Sequence, residues 1–164
     1  MTTLVLYYSL SGTTQSVARN IAQALDTDLA TIRCARYRPG VLGYALAGFD
    51  SLRGHLPEIT LEPEVSLEDY DRVVLGSPIW TSYLATPVRA ALSNLAGWPR
   101  HVALFVTAGG QGEPDKALNQ AESALSHPLD AQCRLTQSDL DSASDGGVLD
   151  RFVAGLDQAA TAQG

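Results

Sequence analysis

Four hydroxyl side chains crowd six consecutive positions: Ser9, Leu10, Ser11, Gly12, Thr13 and Thr14 contain no lysine or arginine. Hydroxyls and backbone N–H groups are donors that a phosphate accepts from. A helix beginning here would add unpaired N–H groups and a favourable dipole. Neither G-x-x-x-x-G-K-[ST] nor G-x-G-x-x-G is present, so this is not a nucleoside-triphosphate loop or a dinucleotide loop of the usual kind. Capping of the helix by Ser11 or Thr13 would explain one hydroxyl, not four. A second segment, Ser77, Pro78, Ile79, Trp80, Thr81 and Ser82, places an indole where it could stack on a flat ligand, worth about 1–3 kcal/mol. The alternative is that Trp80 packs on helix residues such as Val88. In the third segment, Thr107, Ala108, Gly109, Gly110, Gln111 and Gly112, three glycines in four positions clear side chains from a backbone that a ligand could approach. Taken alone, that segment reads equally well as a simple turn.

These segments need elements to hold them together. Residues 4–8, 73–75 and 102–106 are short apolar runs, each leading towards one of the three segments, and such runs read as strands buried on both faces. Residues 29–32 and 131–135 are more polar and fit edge strands. Between the runs, Val17, Ala18, Ile21, Ala22 and Leu25 recur at helical spacing. Pro87 suits the start of a helix carrying Val88, Ala91, Leu92 and Leu95, and residues 115–125 and 148–160 give two more. This alternation implies a parallel sheet with helices on both faces. Residues 39–64, rich in Gly and Pro, form an excursion with a short helix at residues 42–52 and too little apolar material for a second core. A single domain over residues 1–164 is expected.

Composition narrows the function classes. The chain is 45% apolar and 18% charged with a net charge of -7, the mix of a soluble globular protein whose field repels nucleic acid. No run is long enough to span a bilayer and no basic leader precedes an apolar stretch, so a cytoplasmic protein away from membranes is expected. Cys34 and Cys133 have no metal-like spacing, and no metal site is assigned. Both read as ordinary buried thiols on the second and fifth strands. His55, His101 and His127 share no spacing and receive no proton-transfer role. The acidic cluster Glu58, Glu62, Glu64, Glu68, Asp69 and Asp71 reads as a solvated face. No catalytic residue is assigned.

The first segment, with Ser9, Ser11, Gly12, Thr13 and Thr14, resembles the phosphate loop of flavodoxins, S-x-T-G-N-T, with Thr13 where Asn is usual. Asp69-Tyr70-Asp71 followed by Val73 to Trp80 resembles the flavodoxin-like pattern Y-D-x-[VI]-x-x-G-x-P-x-W, and Thr107 to Gly110 resembles its T-x-G-G segment. The resemblance implies an α/β flavodoxin-like three-layer sandwich with a five-stranded parallel sheet of order 2-1-3-4-5. In flavodoxin this order places FMN where the strand order reverses. It implies FMN as cofactor, its phosphate at Ser9, Leu10, Ser11, Gly12, Thr13 and Thr14. The ring would lie between Pro78, Ile79, Trp80, Thr81 and Ser82 on one side and Thr107, Ala108, Gly109 and Gly110 on the other.

Departures from the family pattern bear on the activity. Relatives often carry Gly shortly after the loop Trp, where the backbone faces the flavin N5; here Thr81, Ser82 and Tyr83 follow. No Tyr stands in the last loop to cover the ring, so its face is open to a small acceptor or a nicotinamide unless Tyr83 swings over it. The expected function is an FMN-binding redox protein that transfers electrons or reduces a small acceptor. Its partner would be a redox protein or a small molecule, and its electron donor and oligomeric state are unassigned. An enzyme linked to NAD(P)H or quinone and a plain carrier both stay open. A flavin-free binding or regulatory module on the same fold is the alternative. A phospho-receiver would need acids at the ends of its first and third strands, where Ser9 and Ser77 stand.

Overall fold

The computed structural model describes residues 1–109, 114–136, 139 and 147–162. In chain order the elements are β1 (Thr3–Tyr7), α1 (Thr13–Leu25), β2 (Asp28–Arg33), α2 (Val41–Arg53), β3 (Thr60–Glu62) and a single turn of 3-10 helix (Leu67–Asp69). There follow β4 (Arg72–Trp80), β5 (Tyr83–Leu84), α3 (Thr86–Asn94), β6 (His101–Ala108), α4 (Asp115–Leu125), β7 (Ala131–Thr136) and α5 (Val148–Ala162).

The apolar runs become the central strands because both of their faces are covered. Alternate side chains face opposite ways along a strand. Val5, Tyr7, Val74, Ala103 and Phe105 pack with Val17 and Ile21 of α1 and Phe152 and Leu156 of α5. Leu4, Leu6, Val73, Leu75, Leu104 and Val106 pack on the other face with Val88 and Ala91 of α3 and Ala117 and Ala121 of α4. The result is three layers, helix on sheet on helix.

The sheet has seven strands rather than the five expected, in the order β3-β2-β1-β4-β6-β7 with β5 paired to β4. β3 lies antiparallel to β2 through Ile32 and Leu61 and takes the edge position expected for β2. β5 folds back antiparallel on β4, with Ile79 opposite Leu84 and Trp80 opposite Tyr83. Neither is legible in the sequence, since strands of three and two residues are too short to show alternation. The remaining five run parallel as β2-β1-β4-β6-β7, so the order reverses between β1 and β4, and their C-terminal loops diverge to open a crevice there.

Cys133 lies on β7, whereas Cys34 follows β2 rather than belonging to it, and both are free thiols. Four strand spacings of about 4.8 Å separate β2 from β7, well beyond the ~7 Å reach of a disulfide. Burial pushes the Cys133 thiol up to about 11 and raises that of Cys34 as well. Both thiols therefore stay protonated near pH 8. Iodoacetamide should label the native protein slowly and the urea-unfolded protein fully, at two sites per chain by intact mass. Half-buried Cys34 should react before buried Cys133.

Candidate functional site

The crevice is built from the three segments singled out in the sequence. It holds about 260 Å³ and is lined by Leu10, Ser11, Thr13 and Thr14 from the first, and by Pro78, Ile79 and Trp80 from the second. Thr107, Ala108 and Gly109 line it from the third, and Tyr44 joins from α2. Gly110 lies outside the described residues. Ser9 and Gly12 shape the first loop from behind, and Thr81 and Ser82 form the tip of the β4–β5 hairpin. Among the described residues, every side chain that lines the crevice is uncharged.

The first loop wraps around its own backbone. Gly12 N donates to Ser9 Oγ (3.0 Å), and Gly12 takes φ 98 at the start of α1, a conformation that glycine adopts at little cost. Among the described residues no side chain caps α1, so neither Ser11 nor Thr13 plays the capping role that was the simpler explanation of their presence. Their hydroxyls lie 3.4 Å apart at the mouth of the loop. The first-turn N–H groups of α1 thus have no side-chain acceptor, and that is a place where an anion fits. Thr14 differs. Its hydroxyl is buried 2.8 Å from that of Thr107 and ties the start of α1 to the end of β6.

The second wall is held from behind. Trp80 is buried, with edge-on contacts to Tyr8 (ring centroids 5.6 Å apart) and Tyr37 (5.0 Å). It also shares the core that contains Val88, so the packing alternative and the lining role both hold. Thr81 and Ser82 have φ 52 and 75, the pattern of a type I′ hairpin turn, for which Asn-Gly is the favoured sequence. A β-branched residue at positive φ is uncommon, and its neighbours hold it there. Ser51 Oγ donates to the Trp80 carbonyl (2.9 Å), lies 2.8 Å from Thr81 Oγ1 and accepts from Arg89 Nη2 (2.5 Å). Arg89 is itself buried and donates to the carbonyls of Leu84 and Ser51. Tyr83 does not line the crevice; Arg89 and Lys116 lie over its ring at 5.3 and 5.7 Å.

Asp50 anchors α2 beside this network. Its carboxylate accepts from Arg36 Nε (2.5 Å) and Nη2 (3.2 Å) and from the Tyr37 hydroxyl (2.8 Å). The Tyr37 oxygen lies 2.7 Å from Thr86 Oγ1. The Arg36 hydrogen bonds hold the Asp50 carboxyl below its ordinary value, and burial pushes Tyr37 up to about 12. Asp50→Asn should lower stability by about 1–2 kcal/mol at pH 7, a figure kept small because Arg36 is partly exposed. The carboxylate's share is complete above the ordinary value of 3.8 and is lost as pH falls through the depressed folded value. The gap between variant and parent should therefore close in acid, and urea titrations across a pH series would check it.

Tyr44, Tyr37, Asp50, Ser51 and Arg89 are site or wall residues that the sequence reading did not single out. The available signal was the polar pair Asp50-Ser51 closing the otherwise apolar helical stretch of residues 41–52. The acidic cluster is exposed, as expected. Glu62 pairs with Arg33, and Asp71 accepts from the Thr2 backbone N–H (2.7 Å). Among the described residues there is no cluster suited to a metal ion, and no helix is long and apolar enough to cross a membrane.

A family model described as flavodoxin matches residues 2–128. Among solved structures, the flavoprotein of Lactobacillus acidophilus NCFM in complex with FMN is 27% identical; the match covers 85% of this chain and 96% of that one with a TM-score of 0.70. The apo form of the flavoprotein from that organism is 26% identical, covering 88% and 97% with a TM-score of 0.63. A flavodoxin, WrbA-like protein from Agrobacterium tumefaciens is 15% identical, covering 99% and 97% with a TM-score of 0.59, and supports the fold alone. No curated protein matches the chain.

Proposed function

The chain belongs to the flavodoxin family, and from that premise and the geometry of the crevice we propose that it binds FMN and works as a redox protein of the cytoplasm. The observation that carries the reading is the convergence, in one crevice, of an uncapped helix N-terminus, two exposed hydroxyls whose contact is with each other, and an aromatic wall. When bound, FMN would supply the electron-accepting chemistry. The chain would do the rest.

The first-turn N–H groups of α1 and the Ser11 and Thr13 hydroxyls would hold the phosphate. Trp80, braced by Tyr8 and Tyr37, would hold one side of the ring, and Thr107, Ala108 and Gly109 the other. Thr107 is itself fixed by Thr14. Small residues on the last wall would leave part of the ring accessible to an acceptor, a role that Tyr83, held away by its cations, would not obstruct. Among the described residues no positive side chain lines the crevice, so added negative charge there would go uncompensated, which favours a low reduction potential. Both thiols being free suits a reducing compartment.

Reduction of a small acceptor is the finer form of this proposal, because the hairpin resists rearrangement. Thr81 and Ser82 already occupy positive φ, and Thr81 is bonded to Ser51, which Arg89 holds in turn, so a change of the loop backbone between oxidation states would cost more than in a glycine loop. Reductive titration should therefore approach a two-electron transition. Ser82→Gly should stabilise the fold by about 0.5–1 kcal/mol, raising Tm by a few degrees, and should separate the two one-electron potentials. An unchanged titration curve in a stabilised variant would mean that the hairpin does not govern the redox steps. The function itself is tested by the flavin bands of the purified protein and by NAD(P)H consumption with and without quinone. A colourless protein that takes up no FMN would refute it.

A further inference from the structure

Among the described residues, six of the seven large apolar side chains left exposed fall within residues 41–56. Val41 and Leu42 are 86% exposed, Leu52 72% and Phe49 55%. At helical spacing Val41, Leu42, Ala45, Phe49 and Leu52 fall on one stripe of α2 about 100° wide. The opposite side buries Ala47, Asp50 and Ser51. Asp50 and Ser51 lock that register through Arg36, Tyr37, Trp80 and Arg89, so the helix cannot roll its apolar stripe inward. Tyr44, on the flank of the stripe, lines the crevice, so the patch runs up to the site. Contiguous apolar surface of this kind marks an interaction site.

Charge identifies what covers it. The chain is strongly acidic, yet residues 34–57 carry Arg36, Arg38 and Arg53 against a single carboxylate, the buried Asp50 already bonded to Arg36. The charges this face presents outward are thus arginines. We infer that α2 docks an acidic one-electron redox protein. Apolar contact would form at the centre and partner carboxylates would face Arg38 and Arg53, with electron exchange at the adjoining crevice. This rests on the reading of the crevice as a flavin site. Two docking events would each deliver one electron: each partner molecule loses one, and the group in the crevice gains two in all, the pair it would pass to a small acceptor.

Two other occupants fit less well. A second copy pairing α2 with α2 in antiparallel fashion brings Arg38 of one copy near Arg53 of the other with no free carboxylate between them. Insertion into a bilayer would drag in the Arg53 guanidinium, which lies 5.2 Å from the centre of the Phe49 ring on the apolar face itself. At a protein interface, an arginine on an aromatic ring is instead a favoured anchor.

The test is a titration of the isotope-labelled protein, as purified, with an oxidised plant-type [2Fe–2S] ferredoxin as the acidic probe. Amide shifts should centre on residues 41–56. Affinity should fall with rising salt, although the net charges of two acidic proteins alone would make it rise. Phe49→Asp and Arg53→Glu, both at exposed positions, should each weaken binding about tenfold or more while leaving circular dichroism and FMN uptake unchanged. Shifts confined to other faces, no binding, or affinity that rises with salt would overturn the proposal. So would an α2-dependent dimer by analytical ultracentrifugation, or flotation with anionic phosphatidylglycerol vesicles that Phe49→Asp abolishes. Docking needs no flavin, so a flavin-free protein that still docked would refute the proposed function and with it the electron exchange, while the acidic-partner surface on α2 would stand.

Discussion

Stripped of flavin and titrated by calorimetry, the protein should bind FMN about a thousandfold more tightly than riboflavin, a difference of about 4 kcal/mol. The two ligands differ only in the phosphate, so the ratio isolates what the first loop contributes. Hydrogen bonds to a charged group contribute about 1.5–3 kcal/mol each, and a helix N-terminus adds up to ~2 kcal/mol when partly buried. No side chain has to be displaced from the first turn of α1, because none caps it. Gly12 N is not among the donors, since it is held by Ser9. Ser11→Ala and Thr13→Ala should each weaken FMN about tenfold and leave riboflavin untouched. Thr14→Ala should behave differently. Its hydroxyl is spent on Thr107, so the loss should appear as lower stability and weaker binding of both ligands. The phosphate loses its second charge near pH 6, so FMN affinity should decline below that pH while riboflavin affinity does not. Equal affinities would mean that the phosphate lies elsewhere.

That prediction starts from residues that were legible in the sequence, for a local reason. Strand, hydroxyl loop and helix follow one another within about 20 residues, so Ser11 and Thr13 carry their context with them, and the same is true of Thr107 to Gly109. The layers were legible because buried runs and amphipathic helices alternate regularly, whereas the order of the five parallel strands came only with the family resemblance. β3 and β5 were not legible, being too short to show a period. The excursion was legible only in part. Residues 42–52 do form a helix, Val41–Arg53, but its apolar residues face outward and its polar pair inward, the reverse of what hydrophobic patterning assumes. Asp50 and Ser51 are buried because partners far along the chain, Arg89 and the Trp80 carbonyl among them, satisfy them. No window of sequence contains that information. Tyr44 reaches the crevice only as a consequence of that inverted register.

Alanine at Gly76 should destabilise the fold by about 3 kcal/mol, at the upper end of the usual overpacking cost, and lower Tm by about 10 °C. Gly76 sits on β4 directly opposite Phe105 of β6, on the sheet face covered by α1 and α5. The Phe105 ring occupies the space a side chain would take: a Cβ at Gly76 would lie 2.2 Å from the ring's Cζ, with Cε1 and Cε2 at 2.6 and 2.8 Å. Phe105 is fully buried among residues such as Val74, Cys133 and Leu135, so the ring has nowhere to retreat and the strands would have to part. Glycine in a strand interior often marks such a close approach. The consequence reaches the site, because the Gly76 carbonyl accepts from Tyr8 N (3.1 Å) and the next residues of β4 run into the Trp80 wall. FMN affinity should therefore fall together with stability. Phe105→Leu shortens the opposing side chain, so the double variant should be more stable than the sum of the two single losses by at least ~1 kcal/mol, the coupling expected of residues in contact. Urea unfolding of the four proteins at equal m-values would give that coupling. A Gly76→Ala variant within 0.5 kcal/mol of the parent, the range of an innocuous surface change, would show that the ring can yield and that the contact does not fix the spacing of β4 and β6.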